Sequence, residues 1–268
     1  MRFVLILIIL GIISAVFPAA YGLTNLEETQ YLDNFARLYQ EKKYEESIME
    51  LDKILEVDPD SVTALNKKGN VLLTQGKYVT ALQTFERAFT IDPQSFDSIN
   101  GLGNSYYNLD RYDDSIKQYE QVLKKDRRNI DALLGSGNVL LKVEQYDASI
   151  LFFNLVLKID PNNLSALIGN ANALLSVNQY QLSLTLFDKI LEIDLNNIDA
   201  LNGKGQVFLE LNQYEQSRIA FLAAQEVDPE NITTLLGLAE LNFLEKKISN
   251  LRNYMKQFFL LTLTILGH

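Results

Sequence analysis

Between residues 62 and 95, apolar side chains fall on two helical rhythms separated by a break. Val62, Leu65, Gly69 and Leu72 share one stripe, which predicts an amphipathic helix over 62–75. Gly76 interrupts it, because glycine enters left-handed backbone without steric cost. Ala81, Phe85, Ala88 and Phe89 then mark one side of a second helix, which Asp92-Pro93 stops by disfavouring helical geometry before the proline. Neither helix can bury its stripe alone.

The same pattern recurs every 34 residues. Tyr44, Tyr78, Tyr112, Tyr146, Tyr180 and Tyr214 keep that spacing, as do Asp58, Asp92, Asp126, Asp160, Asp194 and Asp228. The units are 28–61, 62–95, 96–129, 130–163, 164–197 and 198–231, with a degenerate seventh from 232. Asp110, Asn178 and Asn212 occupy the place of Gly76 and also tolerate a left-handed turn, whereas Glu144 suits it less. A strict period of this length means one helix pair copied head to tail, each copy burying its stripe against the next. The fold class is therefore all-α.

Small residues keep the register too. Gly69, Gly103, Gly137, Ala171, Gly205 and Ala239 recur in the first helix, and Ala81, Ser115, Ser149, Ser183 and Ser217 in the second. Glycine inside a helix costs about 1 kcal/mol relative to alanine, so its repetition predicts a large side chain against the bare backbone. Phe85, Tyr119, Phe153, Phe187 and Phe221 are the bulky candidates.

A small residue at the eighth place of the unit, tyrosine at the seventeenth, a small one at the twentieth, an aromatic at the twenty-fourth and proline at the thirty-second together resemble the tetratricopeptide repeat. "ALQTFERAFTIDP" at 81–93 and "GNSYYNLDRYDDSIKQYEQVL" at 103–123 carry the resemblance, which covers about residues 28–231. One departure is the aliphatic residue at place four: Leu65, Ile99, Leu133, Leu167 and Leu201. The resemblance implies a right-handed α-solenoid of helix-turn-helix repeats. It also implies that first-helix places 2, 5, 9 and 12 or 13 look onto a concave groove in which extended peptides lie.

On that stripe, place nine carries Asn70, Asn104, Asn138, Asn172 and Gln206. Place five adds Asn66, Asn100 and Asn202, interrupted by Leu134 and Ile168, and Tyr107 stands at place twelve. An amide donates and accepts, so an amide column could follow a peptide backbone without selecting side chains. A solvated surface with no ligand accounts for the same residues. Asp97, Asp131, Asp199 and Glu210 share the face and Lys142 is a lone cation, which favours a neutral or basic peptide over an anion. Lys67, Lys68 and Lys204 point toward the repeat edges and serve solubility on this count.

The tyrosine column is expected to wedge between helices with its hydroxyls reaching water, a carbohydrate or aromatic platform being the alternative. The six aspartates are expected to bond nearby backbone at turns; spread one per unit, they do not gather the oxygens that calcium wants.

Of 268 residues, 47% are hydrophobic, ample for burial, and the net charge of −10 argues against nucleic acid. There is no cysteine, and the only histidine is His268. Disulfides, thiolate chemistry, Cys/His zinc sites and a Ser-His-Asp set are thereby removed from consideration. Gly101-Leu-Gly103 and Gly135-Ser-Gly137 mimic dinucleotide fingerprints but lie inside predicted helices. The expectation is a non-enzymatic scaffold with no cofactor and no metal.

Both ends depart from the repeat. In residues 1–22, Arg2 precedes an apolar run from Phe3 to Ile13, and Ala20-Tyr21-Gly22 reads as a cleavage site, so an export signal or an uncleaved anchor is expected. Either reading places the repeats outside the cytoplasm. Residues 232–268 begin as a first helix, but Ile248 stands where the next tyrosine is due. Leu251, Met255 and Phe258 continue a second-helix stripe into an apolar end, Phe258–Leu266. That end is expected to fold back over the last repeat, or else to meet a membrane, a second copy or another partner. A structural spacer docked through this tail is the alternative function.

Overall fold

A computed structural model describes residues 24–266, with side chains through Gln257; the expected export or anchor segment lies outside the described residues. Among the described residues the chain forms thirteen helices and no strand. The first, α1 (Asn25–Gln40), starts with a reciprocal cap: the Glu27 N–H donates to Thr24 Oγ1, and the Thr24 N–H donates to the Glu27 carboxylate at 3.0 Å. Then follow α2 (Tyr44–Val57), α3 (Val62–Thr74), α4 (Tyr78–Ile91), α5 (Phe96–Asn108), α6 (Tyr112–Lys125) and α7 (Ile130–Lys142). The remainder are α8 (Tyr146–Ile159), α9 (Leu164–Ser176), α10 (Tyr180–Ile193), α11 (Ile198–Glu210), α12 (Tyr214–Val227) and α13 (Ile232–Leu266). This is the all-α solenoid class expected, built of stacked helix-turn-helix repeats.

The helices divide into two compact units, one ending at Gly135 and one beginning at Ser136. In the first, each helix from α1 to α6 packs on the next, and α3 also touches α5. In the second, α8 to α13 pack in the same succession, with α9 on α11 and α11 on α13.

Each second helix opens on its tyrosine because the turn before it is left-handed. Lys42, Gly76, Asp110, Glu144, Asn178 and Asn212 all have φ between 57° and 72°. The chain then closes two hydrogen bonds onto the preceding helix: the Gly76 N–H donates to the Leu73 carbonyl and the Lys77 N–H to that of Leu72. Glu144 and Lys42 adopt this geometry although a side chain strains it.

Four of the second-helix aromatics are clamped between two bare backbones, and Phe187 meets one at Gly203. A Cβ on Gly69 would lie 2.5 Å from the Phe85 ring, and one on Gly101 only 2.2 Å from the same ring. Tyr119 sits likewise between Gly103 and Gly135, Phe153 between Gly137 and Gly169, and Phe221 between Gly205 and Gly237. The first glycine belongs to the ring's own pair and the second to the next pair. All five aromatics are fully buried.

The serine column has a second task besides being small. Ser115, Ser149, Ser183 and Ser217 each donate at 2.8 Å to the backbone carbonyl of Gly103, Gly137, Ala171 and Gly205. These hydroxyls join the two helices of a pair where their backbones leave room only for a small side chain.

The last element differs from expectation. Helix α13 runs unbroken from Ile232 to Leu266, so no second helix turns back at Lys246-Lys247 and the apolar end continues outward rather than folding over the last repeat. The reason is local. Ile248 stands where the tyrosine that opens a second helix is due, whereas a lysine at 246 is no bar by itself, since Lys42 holds the left-handed turn at the same place of the first unit. Leu251 and Met255 are accordingly exposed. No helix among the described residues is long and apolar enough to cross a membrane.

Candidate functional site

Every first helix after α1 whose cap is described starts from a polar residue at the end of the preceding unit. Ser61, Ser95, Asn129, Asn163, Asn197 and Asn231 accept from the backbone N–H three residues on. These caps catch the place-five amides of the repeat before. Asn66 Nδ2 donates to Ser95 Oγ, Asn100 Nδ2 to Asn129 Oδ1 at 3.1 Å, and Asn202 Nδ2 to Asn231 Oδ1. In return, the Ser98 and Thr234 hydroxyls donate to Asn66 Oδ1 and Asn202 Oδ1, each at 2.9 Å.

This corrects the expectation for Asn66, Asn100 and Asn202, which were placed on the open stripe. They are 5%, 5% and 6% exposed, and their amides fasten one repeat to the cap of the next. Angular position on a helix does not reveal depth, and the neighbouring repeat rises over place five. Two lysines are corrected for the same reason: Lys68 pairs with Asp52 at 2.5 Å and Lys204 with Asp188 at 2.6 Å, each across to the preceding repeat. In the same register Asn170 donates to Asn154 at 2.8 Å.

Place nine stays open. Asn70 and Asn138 are exposed, and Asn104, Asn172 and Gln206 are half-buried. Asn104 Oδ1 accepts from the Tyr119 hydroxyl at 2.7 Å, which leaves its Nδ2 to the surface. Tyr119 is the one tyrosine in the clamp column, and burial pushes its phenol well above the ordinary range. Tyr107 is half-buried with its ring 5.9 Å from that of Tyr112, and burial, with Asp110 nearby, raises its phenol as well.

Among the described residues, each unit has a cavity that opens on this face. In the first unit a cavity of about 440 Å³ is lined by Asn70 with Phe35, Tyr39, Lys67 and Thr74. The Tyr39 hydroxyl and Thr74 Oγ1 lie 3.0 Å apart across it. In the second unit a cavity of about 350 Å³ brings together Asn172, Asn202 and Gln206 with Asp199, Leu175, Leu236 and Glu240. Glu240 and Leu236 were missed from the sequence, although Glu240 stands 34 residues after Gln206 and so continues the place-nine column. Asn100, Asn104, Tyr107 and Asn138 line neither cavity. Asp97 and Asp131 are exposed on their helices.

The other two periodic columns are structural. Each of Asp58, Asp92, Asp126, Asp160, Asp194 and Asp228 accepts from the backbone N–H two residues on, at 2.9–3.2 Å, as expected of turn residues. The tyrosine hydroxyls of the second helices were expected in water. Instead Tyr112, Tyr180 and Tyr214 donate to the left-handed turn residues Asp110, Asn178 and Asn212, at 2.5, 2.8 and 2.8 Å. Among the described residues no group of acidic or histidine side chains is placed to hold a metal.

Three family models match the chain: two described as Tetratricopeptide repeat, over residues 100–163 with 168–232 and over 50–83, and one described as TPR repeat over 69–110. No curated protein matches the sequence significantly. Solved structures share the fold at low identity. A tetratricopeptide repeat protein from Parabacteroides merdae is 12% identical with a TM-score of 0.65, over 83% of this chain and 88% of its own. Pseudomonas aeruginosa pilF is 17% identical with a TM-score of 0.65, over 81% and 98%. YrrB, described as a TPR protein with an unusual peptide-binding site, is 20% identical with a TM-score of 0.53, over 70% and 97%.

Proposed function

The chain carries tetratricopeptide repeats, and we propose that it is an exported, non-catalytic scaffold that holds a neutral or basic peptide segment on the first-helix face of its second unit. The observation that carries this reading is the 350 Å³ cavity among α9, α11 and α13. Asn172 presents its amide there for a peptide backbone and Gln206, whose Nε2 donates to Glu210, its carbonyl oxygen; Asp199 and Glu240 present carboxylates for a lysine, arginine or amino terminus, and Leu175 and the exposed Leu236 add apolar surface. The description of YrrB as having a peptide-binding site supports the same class of ligand on this fold. Export rests on Arg2, the apolar run after it and Ala20-Tyr21-Gly22, and a mature N-terminus at Leu23 on sequencing would support it.

The test is selection from a random peptide library on the immobilised protein. Enriched peptides should be rich in Lys and Arg and poor in Asp and Glu. The substitution Asp199→Asn with Glu240→Gln should weaken them about tenfold, the scale set by losing close charge partners. Enrichment of acidic peptides, or binding indifferent to these substitutions, would overturn the proposal.

A further inference from the structure

We propose that α13 from Lys246 onward is a docking element for an anionic lipid surface. Ile248, Leu251, Tyr254 and Met255 fall at i, i+3, i+6 and i+7 and form one apolar stripe. Three of them are left uncovered, Leu251 at 52%, Tyr254 at 71% and Met255 at 69% exposure. Ser249, Asn250, Asn253 and Lys256 occupy the opposite side, so the segment is amphipathic even though the repeat that would have used its stripe never forms.

Charge decides the occupant. Lys246, Lys247, Arg252 and Lys256 are the only charged residues from 246 to the end, in a chain whose net charge is −10. The chain ahead of them is thus four charges more negative than the whole, and its sign inverts within this one helix. Nearby Arg218 is neutralised by Glu245, but among the described residues none of the four later cations enters an ion pair. Unpaired cations flanking an apolar stripe are what anionic headgroups above acyl chains complement. A helical partner would cover one stripe, whereas the sequence from Phe258 to Leu266 holds no charged residue at all. No described helix suits a span, so the geometry points to a helix lying in the interface.

The test is co-sedimentation of the full chain with vesicles of mixed phosphatidylglycerol and phosphatidylcholine, and with phosphatidylcholine alone, at low and high salt. Binding should require phosphatidylglycerol and weaken with salt. Arg252→Glu with Lys256→Glu, and separately Leu251→Ser with Met255→Ser, should each lower partitioning about tenfold without changing helicity. The apolar residues 1–22 are common to all these proteins and cannot account for a difference between them. Equal binding by the variants, or equal binding to neutral vesicles, would sink the proposal. So would light scattering that shows a dimer dispersed by Leu251→Ser with Met255→Ser while no vesicle binding occurs, because the stripe would then belong to a second copy.

Discussion

The Ser98 hydroxyl donates to Asn66 Oδ1 at 2.9 Å, and one repeat later the place of Ser98 is held by Ala132. Thr234 restores the contact for Asn202. Alanine offers no hydroxyl, and Asn100 Oδ1 is buried without a hydrogen-bond partner among the described residues. A buried carbonyl oxygen left unpaired costs about 1–3 kcal/mol.

Ala132→Ser should therefore stabilise the protein by about 1 kcal/mol, read as a higher urea midpoint at unchanged slope. In an Asn100→Ala background the gain should vanish. A gain that persists there would mean the serine acts elsewhere.

The clamp around Phe187 leads to a second expectation. A Cβ on Gly203 would stand 2.1 Å from that ring, closer than any real contact. Helix propensity alone would make Gly203→Ala favourable by about 1 kcal/mol. Overpacking should outweigh it and leave a net loss of about 2 kcal/mol. Shortening the ring should relieve the clash, so Gly203→Ala combined with Phe187→Leu should cost less than the two changes summed. Simple additivity in denaturation midpoints would show that the ring does not press on that backbone.

How far the chain could be read in advance follows from what a period reveals. Val62, Leu65 and Leu72 gave α3 to within a residue, and Tyr44 to Tyr214 each open a second helix, because spacing and local turn chemistry are written in neighbouring residues. The pairing of Gly69 with Phe85 was legible from the conflict between glycine and helix. The second glycine of each clamp was not, since Gly101 meets Phe85 only once the next pair is stacked. Asn66, Asn100 and Asn202 were misplaced for that same reason: their partners stand 29 residues later, on the caps of the following helices. The Ser/Asn column from Ser61 to Asn231 was the signal that would have found them. In α13, the loss of the second-helix tyrosine was written at Ile248, but the consequence for the tail is visible only in the continuous helix.

Glu144 tests the turn chemistry directly. Its φ of 61° lies where Gly76 stands in an earlier repeat, and a side chain there costs about 1 kcal/mol or somewhat more. Glu144→Gly should raise stability by about 0.5 kcal/mol, once the extra freedom of glycine in the unfolded chain is deducted from that cost. Glu144→Val should lower it, because a β-branched residue tolerates left-handed backbone least. If both variants unfold with the wild type, the turn is not held at this φ in solution.

The bond from the Tyr112 hydroxyl to Asp110 Oδ1, at 2.5 Å, sets an alkaline limit. The carboxylate accepts the hydrogen bond from the phenolic O–H and, aided by partial desolvation, pushes the Tyr112 pKa from 10.0 up to about 12. A phenol whose pKa is higher in the folded chain than in the unfolded one adds stability that is whole below pH 10 and is lost as pH climbs from 10 through about 12. Tyr112→Phe should remove that share of the alkaline loss, and in a tyrosinate absorbance titration it should delete one late-titrating group. Asp110→Ala should instead bring the same group back toward 10, because the acceptor is gone while the ring remains. Asp110→Asn should fall between, since a neutral amide still accepts the hydrogen bond without repelling the phenolate. An unchanged titration in Asp110→Ala would place the cause in burial rather than in the bond.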